Sequence, residues 1–336
     1  MLEKIETLPG IPLDYDQVEL YEINLPVKKG TSYGELMFMG DLHIGHKSFS
    51  ASHLHKYLNF LRKEPHIKII GMGDYFEAEE YTNFLRNQEN PLDVQIKLFL
   101  EKFIPVKDQI KVLLYGNHDE RFMRGAKNAV DLLGFVALKL GKVPGKDIYL
   151  GKPERGMLVV IKVKNKAYPI YIHHSATRAT VNLMSQLKRT PMNWAVPLIA
   201  HGHVHKMSWT YRTFFSVSKI GNSYYRSIFR QYLLLTGCFL RYPSYAEKIS
   251  MPITDIGAPI VRFYTDRYEL EYVDPRIAYK DYVIKGGEYY NPAKVIPFHY
   301  ELGRPRCPRC GSFHVHSRGK EWGCYDCHHR WKKVGV

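Results

Sequence analysis

The segment Leu36–His43 reads LMFMGDLH, an apolar run that ends directly in an aspartate and a histidine. A short apolar run followed at once by polar residues is typical of a buried strand with functional side chains at its carboxyl end. In an extended chain, residues two apart point to the same side, so Asp41 and His43 can hold one ion between them. The segment therefore predicts a strand that delivers two metal ligands.

Other apolar runs repeat this arrangement, and each is followed by polar residues. The runs are Leu36–Met39, Ile67–Gly71, Val112–Tyr115, Ile170–Ile172 and Val196–Ala200. The motifs that follow the last four are Gly73-Asp74, Gly116-Asn117-His118-Asp119, His173-His174 and Gly202-His203-Val204-His205. Helix-period segments, His53–Arg62 and Val94–Phe103, lie between the early runs. Strands that alternate with helices predict an α/β fold with its site at the carboxyl ends of the strands.

The later part of the chain shows strand patterns with few helices between them. These strands are predicted at Met157–Val163, Trp209–Val217, Tyr232–Leu235, Val261–Tyr264 and Tyr268–Tyr272. We expect them to form a second, more antiparallel sheet.

Carboxylate, imidazole and amide oxygen donors occur together in the five motifs. This mixture suits borderline divalent ions such as Mn²⁺, Fe, Zn²⁺ or Ni²⁺ better than Mg²⁺ or Ca²⁺. A lone histidine is more often a core or surface residue than a ligand. Five motifs in a fixed order, each at a strand end, favour a metal centre.

Taken together, the motifs resemble the five signature motifs of the calcineurin-like metallophosphoesterases, from Leu36 to about His205. The resemblance implies a four-layer α/β/β/α sandwich of two packed sheets. It also implies a phosphoric ester hydrolase with two divalent ions, for which Mn²⁺ is our first expectation.

The resemblance also assigns seven ligands to the two ions. The first ion would be bound by Asp41, His43 and His205, the second by Asn117, His203 and one of His173 or His174, and both by Asp74. We prefer His173, because the family ligand often precedes one residue and then a small residue or proline. Ser175 follows His174, so the usual trailing Gly or Pro is absent and His174 stays open as the alternative.

The resemblance implies roles for the residues that follow Asn117. A hydroxide that bridges two ions would attack phosphorus in line, since paired ions lower the pKa of bound water. His118 would act as general acid or stabilise the transition state, and Asp119 would orient it. Arg121 would reach a phosphate oxygen or, alternatively, form an ion pair on a helix surface.

Four of the five cysteines form two Cys-x-x-Cys pairs near the C-terminus. The pairs are Cys307 with Cys310, and Cys324 with Cys327. Four thiolates make a closed tetrahedral Zn²⁺ site, so the spacing predicts a zinc ribbon with one structural Zn²⁺. The segment resembles the zinc ribbons of nucleic-acid enzymes such as transposases.

The formal net charge of the chain is +15, which favours a polyanionic partner such as DNA or RNA. Within the ribbon we expect backbone contacts from Arg309, Arg318 and Lys332, although the ribbon could instead cap the fold or mediate oligomerisation. Cations also alternate with aromatic residues from Lys206 to Arg230. There Arg226 and Arg230 are candidate contacts, and half-buried strands are the alternative interpretation.

The patterns divide the chain into four parts. Residues 1–35 form an N-terminal extension packed on the catalytic domain, 36–275 the catalytic domain, 276–303 a linker or wrapping segment, and 304–336 the zinc ribbon. The start of the chain lacks a basic and then an apolar signal region, and no apolar run is long enough to span a membrane. We therefore expect a cytoplasmic protein.

The leading functional hypothesis is hydrolysis of nucleic-acid or nucleotide phosphodiesters, as a nuclease or nucleotide phosphodiesterase. A phosphomonoesterase acting on proteins or small molecules is the alternative within enzymes. A non-catalytic nucleic-acid-binding module is the alternative from another class. The filled ligand positions and His118 speak against the last, because buried charges without a metal partner are costly.

Overall fold

The computed structural model describes residues 20–78, 88–123, 131–152, 155–174, 194–220, 223–241, 254–274, 315–318, 321–324 and 329–332. The chain divides into two compact units, Met1–Pro275 and Arg276–Val336.

The first unit contains twelve strands and three α-helices among its described residues. The strands are β1 (Tyr21–Asn24), β2 (Tyr33–Met39), β3 (Lys68–Gly71), β4 (Ile110–Leu113), β5 (Tyr149–Leu150), β6 (Met157–Val163), β7 (Lys166–His173), β8 (Leu198–His201), β9 (Met207–Ile220), β10 (Ser223–Thr236), β11 (Ile260–Tyr264) and β12 (Leu270–Val273). The α-helices are α1 (Ala51–Lys63), α2 (Leu92–Phe103) and α3 (Leu132–Lys139), and two 3₁₀ helices span Ile104–Gln109 and Asp119–Met123.

The first sheet has the strand order β12-β11-β2-β3-β4-β5. The strands β2 to β5 pair in parallel, whereas β11 and β12 are antiparallel to their neighbours. Strand β2 is buried along almost its whole length, as expected for a central strand covered on both faces. The three α-helices pack in sequence, since α2 contacts both α1 and α3. On the outer face of the sheet, Phe99 and Phe103 of α2 line a small cavity with Ile69 and Leu113.

The second sheet has the order β1-β6-β7-β8-β10-β9 and is mixed. Antiparallel pairs β6–β7 and β9–β10 alternate with parallel pairs β1–β6, β7–β8 and β8–β10. This corrects the predicted grouping of strands in two respects. The later strands β11 and β12 belong to the first sheet, and β7 and β8 belong to the second.

The two sheets pack face to face over one apolar core. Leu36 and Phe38 of β2 share a single buried cluster with Ile161 of β6, Ile170 of β7 and Leu234 of β10. The predicted α/β class with two packed sheets is therefore confirmed. A helical layer on the outer face of the second sheet is not formed by the described residues.

The carboxyl ends of the central strands meet at one edge of the sandwich. The loop after β2 bonds to the loop after β3, where the Asp41 amide donates to the Gly73 carbonyl at 2.8 Å. The same loop reaches the second sheet, because the His203 amide after β8 donates to both carboxylate oxygens of Asp41, at 3.1 and 3.0 Å. The pairing of parallel strands thus brings loops of both sheets to a common place.

In the second unit, strands β13 (Val315–Arg318), β14 (Glu321–Cys324) and β15 (Arg330–Lys332) form an antiparallel sheet. Cys307, Cys310, Cys327 and Arg309 lie outside the described residues, as do the side chains of Cys324, Arg318 and Lys332. The zinc ribbon and its contacts stay predictions, and so do the domain limits. Among the described helices, none has both the length and the apolar character needed to cross a membrane.

Candidate metal centre

Five predicted ligands have a left-handed backbone, which L-residues other than glycine seldom adopt. They are Asp41 (φ 49°), His43 (φ 48°), Asp74 (φ 52°), His203 (φ 75°) and His205 (φ 57°). Each such residue costs on the order of 1 kcal/mol, and residues of this kind cluster at functional sites. Hydrogen bonds between loops offset this cost, as when the His43 amide donates to the Asp74 carbonyl at 3.0 Å.

The first donor group consists of Asp41, His43 and His205. One ligand atom from each lies within 4.8 Å of the others. The Nε2 atom of His205 is 3.1 Å from Asp41 Oδ1 and 3.3 Å from His43 Nε2. Asp41 is fully buried and His43 nearly so. A carboxylate and two imidazole nitrogens that face one another in this way suit a single divalent cation.

Glu77, which sequence reasoning missed, sets the orientation of His43. The Nδ1 atom of His43 donates to Glu77 Oε2 at 2.9 Å, which leaves Nε2 unprotonated toward the donor group. A carboxylate behind a ligating histidine fixes its tautomer and raises its basicity. Burial raises the pKa of Glu77, and the nearby His118 opposes this shift. Glu77 lies three residues after Asp74, and no feature of the sequence marks it.

The second donor group consists of Asp74, His174 and His203, with Asn117 beside them. His174 Nδ1 donates to the Met72 carbonyl at 2.6 Å, so that Nε2 points into the group. That Nε2 is 3.2 Å from Asp74 Oδ2 and 3.3 Å from Asn117 Oδ1. Among the described residues, the buried Nδ1 atom of His203 has no hydrogen-bond partner. One ring nitrogen of His203 lies within 4.8 Å of the ligand atoms of Asp74 and His174, which suits an ion ligand.

Asp74 lies between the two groups. Its Oδ2 atom faces His174 Nε2 at 3.2 Å and His43 Nε2 at 3.8 Å, while Oδ1 accepts from the His118 amide at 2.8 Å. Burial works to raise the pKa of Asp74, but the surrounding imidazoles, His174 first, hold it well below the usual range. One carboxylate oxygen that faces both groups is the arrangement expected of a bridging ligand.

The structure favours the alternative ligand His174 over His173. Side chains alternate along β7, where Ile170 and Ile172 enter the core between the sheets and Tyr171 faces the other side. His174 continues the side of Ile172 and reaches the donors. His173 follows Tyr171, and its ring lies 5.5 Å from that of His201 instead.

A matched pair of substitutions tests this assignment. We expect His174→Ala to weaken Mn²⁺ binding by at least about 100-fold, because even the loss of an outer partner of a ligand costs 10–100-fold. His173→Ala, which removes the neighbouring imidazole, should leave Mn²⁺ binding close to that of the wild type. Isothermal titration of Mn²⁺ into both variants measures the difference. The reverse order of affinities would restore His173 as the ligand.

His118 is close to the donors. Asp119, which was expected to orient His118, makes its hydrogen bonds elsewhere. The Nδ1 atom of His118 donates to the Glu77 carbonyl at 2.6 Å. Asp119 is fully buried and accepts from the backbone amides of Tyr75 at 3.1 Å and Gly116 at 3.0 Å. Burial, followed by the charge of Asp74, raises the pKa of Asp119 well above its usual range. Asp119 therefore ties two loops together, and Glu77 supplies the contact to His118.

Arg121 lies beside His118 at the rim of the cluster. Its guanidinium is 3.3 Å from His118 Nε2 and 3.5 Å from the Glu77 carbonyl. The side chain is half-buried on the second 3₁₀ helix. This position is compatible with contact to a bound anion, which stays a prediction.

Glycines allow the loops to approach so closely. A Cβ atom on Gly116 would lie 2.1 Å from Asp74 Oδ1, and one on Gly202 would lie 2.8 Å from the Met72 carbonyl oxygen. Both contacts are shorter than real side chains permit. The glycines that precede Asn117 and His203 are thus required for the donors to converge.

The structure brings together all of the predicted dinuclear ligands except His173. It does not bring Arg226 and Arg230 to them, since both lie on β10 before its pairing with β8 begins at Tyr232. The donor set combines carboxylate oxygens, imidazole nitrogens and an amide oxygen, and fits borderline divalent ions.

The chain was compared with known proteins. No protein-family model matches the sequence, and no curated protein matches it. Among solved structures it is similar to a conserved protein of Streptococcus pneumoniae TIGR4 described as a predicted phosphoesterase. The identity is 12% and the TM-score 0.32, over 74% of this chain and 92% of that one.

Two further solved structures are similar to the chain at comparably low identity and TM-score. Vps29 from Entamoeba histolytica, solved with Zn²⁺, is 14% identical with a TM-score of 0.30, over 71% of this chain and 97% of that one. A candidate 5'-nucleotidase from Staphylococcus aureus is 11% identical with a TM-score of 0.35, over 71% of this chain and 52% of that one. Values this low transfer no activity to this chain.

Proposed function

We propose that this chain is a metal-dependent phosphoesterase of the calcineurin-like kind that hydrolyses phosphodiesters of nucleic acids or nucleotides. The position of Asp74 carries the proposal. Its Oδ2 atom faces two donor groups that, with Asn117, draw on five separate loops. Two adjacent divalent ions supply a phosphate clamp and an activated water when bound. Mn²⁺ is our first choice among the borderline ions that suit the donors.

The residues around the donors have parts in this chemistry. Asp41, His43 and His205 would hold one ion, Asn117, His174 and His203 the other, and Asp74 both. His118 would hold a proton on Nε2 for the departing oxygen, with its Nδ1 proton fixed on the Glu77 carbonyl. Arg121, next to that Nε2, would bind a phosphate oxygen and keep the leaving group in place.

Two features support a diester of nucleic acid as the substrate class. The net charge is +15, and cations attract the phosphate backbone whatever its sequence. The C-terminal segment Glu301–Val336 alone has eight Lys and Arg against three acids. A small monoester would make no use of this distribution of charge.

A substrate panel with added Mn²⁺ tests the proposal. We expect faster hydrolysis of bis-p-nitrophenyl phosphate than of p-nitrophenyl phosphate, and cleavage of at least one of single-stranded DNA, duplex DNA and RNA. Faster turnover of the monoester and of mononucleotides would favour the phosphomonoesterase instead. Oligonucleotide binding without cleavage of any ester by the Mn²⁺-loaded protein would favour the non-catalytic module.

A further inference from the structure

The strands β9 and β10 form a hairpin that extends beyond its sheet. All fourteen residues of each strand pair with the other, from Ser223 with Ile220 to Thr236 with Met207. Strand β10 pairs with β8 only over Tyr232–Leu235. Among the described residues, eight pairs, from Thr213 with Arg230 to Ile220 with Ser223, therefore continue past β8 as a two-stranded ribbon. At about 3.4 Å per residue, this β9–β10 ribbon is about 27 Å long.

The ribbon points away from the metal centre. Strand β10 is parallel to β8, and Leu235 lies opposite His201 at the end that leads to the donors. Arg230 is five residues and Arg226 nine residues before Leu235. At about 3.3 Å per residue, Arg230 lies about 17 Å and Arg226 about 30 Å from that end of the strand. A ligand of the ribbon must therefore be long if it also reaches the donors.

The charge of the hairpin has one sign. Residues 207–236 contain four cations, Arg212, Lys219, Arg226 and Arg230, and no Asp or Glu. A second copy of this chain would place like charges against one another, which disfavours pairing of two ribbons. The charge is complementary to a polyanion.

Three arginines of the hairpin each lie over an aromatic ring. The guanidinium of Arg226 lies 4.8 Å from the ring centre of Phe215, and that of Arg230 lies 4.6 Å from the ring centre of Tyr211. On the opposite face, Arg212 lies 5.0 Å from Phe214. Stacking holds a guanidinium in place, and its five N–H donors exceed the hydrogen bonds that Arg212 and Arg230 form within the hairpin. With guanidiniums held beside these rings, the ribbon offers ligands for phosphate oxygens.

The base of the ribbon is fixed to both sheets. Trp209 stacks on Tyr232 of β10 at 4.7 Å and on Tyr272 of β12 at 5.7 Å. An isolated two-stranded hairpin is marginally stable, and Phe215 and Ile228 are 68% and 69% exposed on its outer part. The aromatic base holds the ribbon in a defined direction, and the exposed apolar residues indicate a surface that a partner covers.

We propose that the β9–β10 ribbon grips duplex nucleic acid, with its arginines on the phosphate backbone and the ribbon in the major groove. A two-stranded ribbon fits this groove, which is about 12 Å wide. Contacts to phosphates would give affinity without sequence selectivity. The inference rests on the proposed function for the class of substrate, and adds the surface that holds it.

Binding of a fluorescent duplex of about 20 base pairs, followed by anisotropy without added divalent ions, tests the ribbon. The Arg226→Ala, Arg230→Ala double variant should bind the duplex about tenfold or more weaker at 100 mM salt. The slope of log K against log[salt] should fall by about 1.8, since each phosphate contact contributes about 0.9. The control is Lys139→Ala with Lys146→Ala, two exposed lysines outside the hairpin, which removes the same charge and should change the slope little.

The thermal midpoint and three further results decide the interpretation. An unchanged thermal midpoint shows that the ribbon variant is folded. Equal binding of the duplex by both double variants overturns the proposal. It is also overturned if the ribbon variant loses affinity for a single-stranded oligonucleotide of the same length but binds the duplex as the wild type does. A wild-type dimer that the ribbon substitutions convert to a monomer also overturns it, in favour of a second copy as the partner. Hydrolysis with Mn²⁺ is measured separately, so a failed ribbon and a failed phosphoesterase function give different results.

Discussion

Asp74→Asn is expected to reduce phosphodiester hydrolysis by at least roughly a thousandfold, or about 4 kcal/mol of transition-state stabilisation. Asp74 Oδ2 faces both donor groups, at 3.2 Å from His174 and 3.8 Å from His43. An amide of the same shape lacks the negative charge that holds two cations together. In this variant the affinity for metal should fall at both proposed ion sites, and not at only one.

Two measurements separate this effect from a folding defect. In the wild type, saturating Mn²⁺ should raise the thermal midpoint, because it binds only the folded chain, and in Asp74→Asn this rise should shrink. The control is Glu35→Gln. Glu35 is a buried carboxyl outside both donor groups, and its Oε1 atom lies 3.0 Å from Arg262 Nε. It should lower the midpoint and keep the rise with Mn²⁺. Wild-type hydrolysis by Asp74→Asn with metals supplied would contradict the proposed centre.

His118→Ala is expected to lower kcat by about 10²–10⁴, the usual contribution of a positioned general acid or base. The Nδ1 atom of His118 is committed to the Glu77 carbonyl at 2.6 Å, so only Nε2 can exchange a proton with a substrate. Metal binding should persist, since the predicted ligands all remain. The thermal shift with Mn²⁺ should therefore match that of the wild type.

The leaving group identifies the role of His118. A p-nitrophenolate leaves without a proton, whereas the sugar oxygen of a nucleic acid needs one. The loss in His118→Ala should therefore be larger for an oligonucleotide than for bis-p-nitrophenyl phosphate. His55→Ala on the exposed face of α1, where His55 bonds to Asn59, serves as the histidine control. Equal losses on both substrates would assign His118 to transition-state stabilisation rather than proton donation.

The sequence predicted the local elements near the site well. The apolar runs before Asp41 and Asp74 became β2 and β3, and the helix-period segments became α1 and α2. These elements depend on residues close in sequence, whose periodicity records which face is buried. The loops at the strand ends follow from the same patterns.

The order of strands in the sheets could not be read from the sequence in this way. The pairing of β11 with β2 joins Val261 to Leu36, more than two hundred residues earlier. Such pairing depends on which edges meet in the folded chain and leaves no periodic trace. The full length of the hairpin was recoverable, because Gly221-Asn222 between two strand patterns is a hairpin signal.

The choice between His173 and His174 was also recoverable. The isoleucines at 170 and 172 fix the phase of β7, and a period of two places residue 174 on their side. The role of Asp119 was not recoverable in this way. Its neighbour His118 suggested a contact between the two side chains, whereas the carboxylate turns inward to the amides of Tyr75 and Gly116.

The left-handed loops would couple the two proposed ion sites. If each of the five strained residues costs about 1 kcal/mol, the loops hold roughly 5 kcal/mol that the rest of the fold and the captured ions must outweigh. The Asp41 amide bonds to Gly73, and the Asp41 carboxylate accepts from His203. Relaxation of one loop would therefore release donors of both ions. We therefore expect the two proposed ions to be bound and released together.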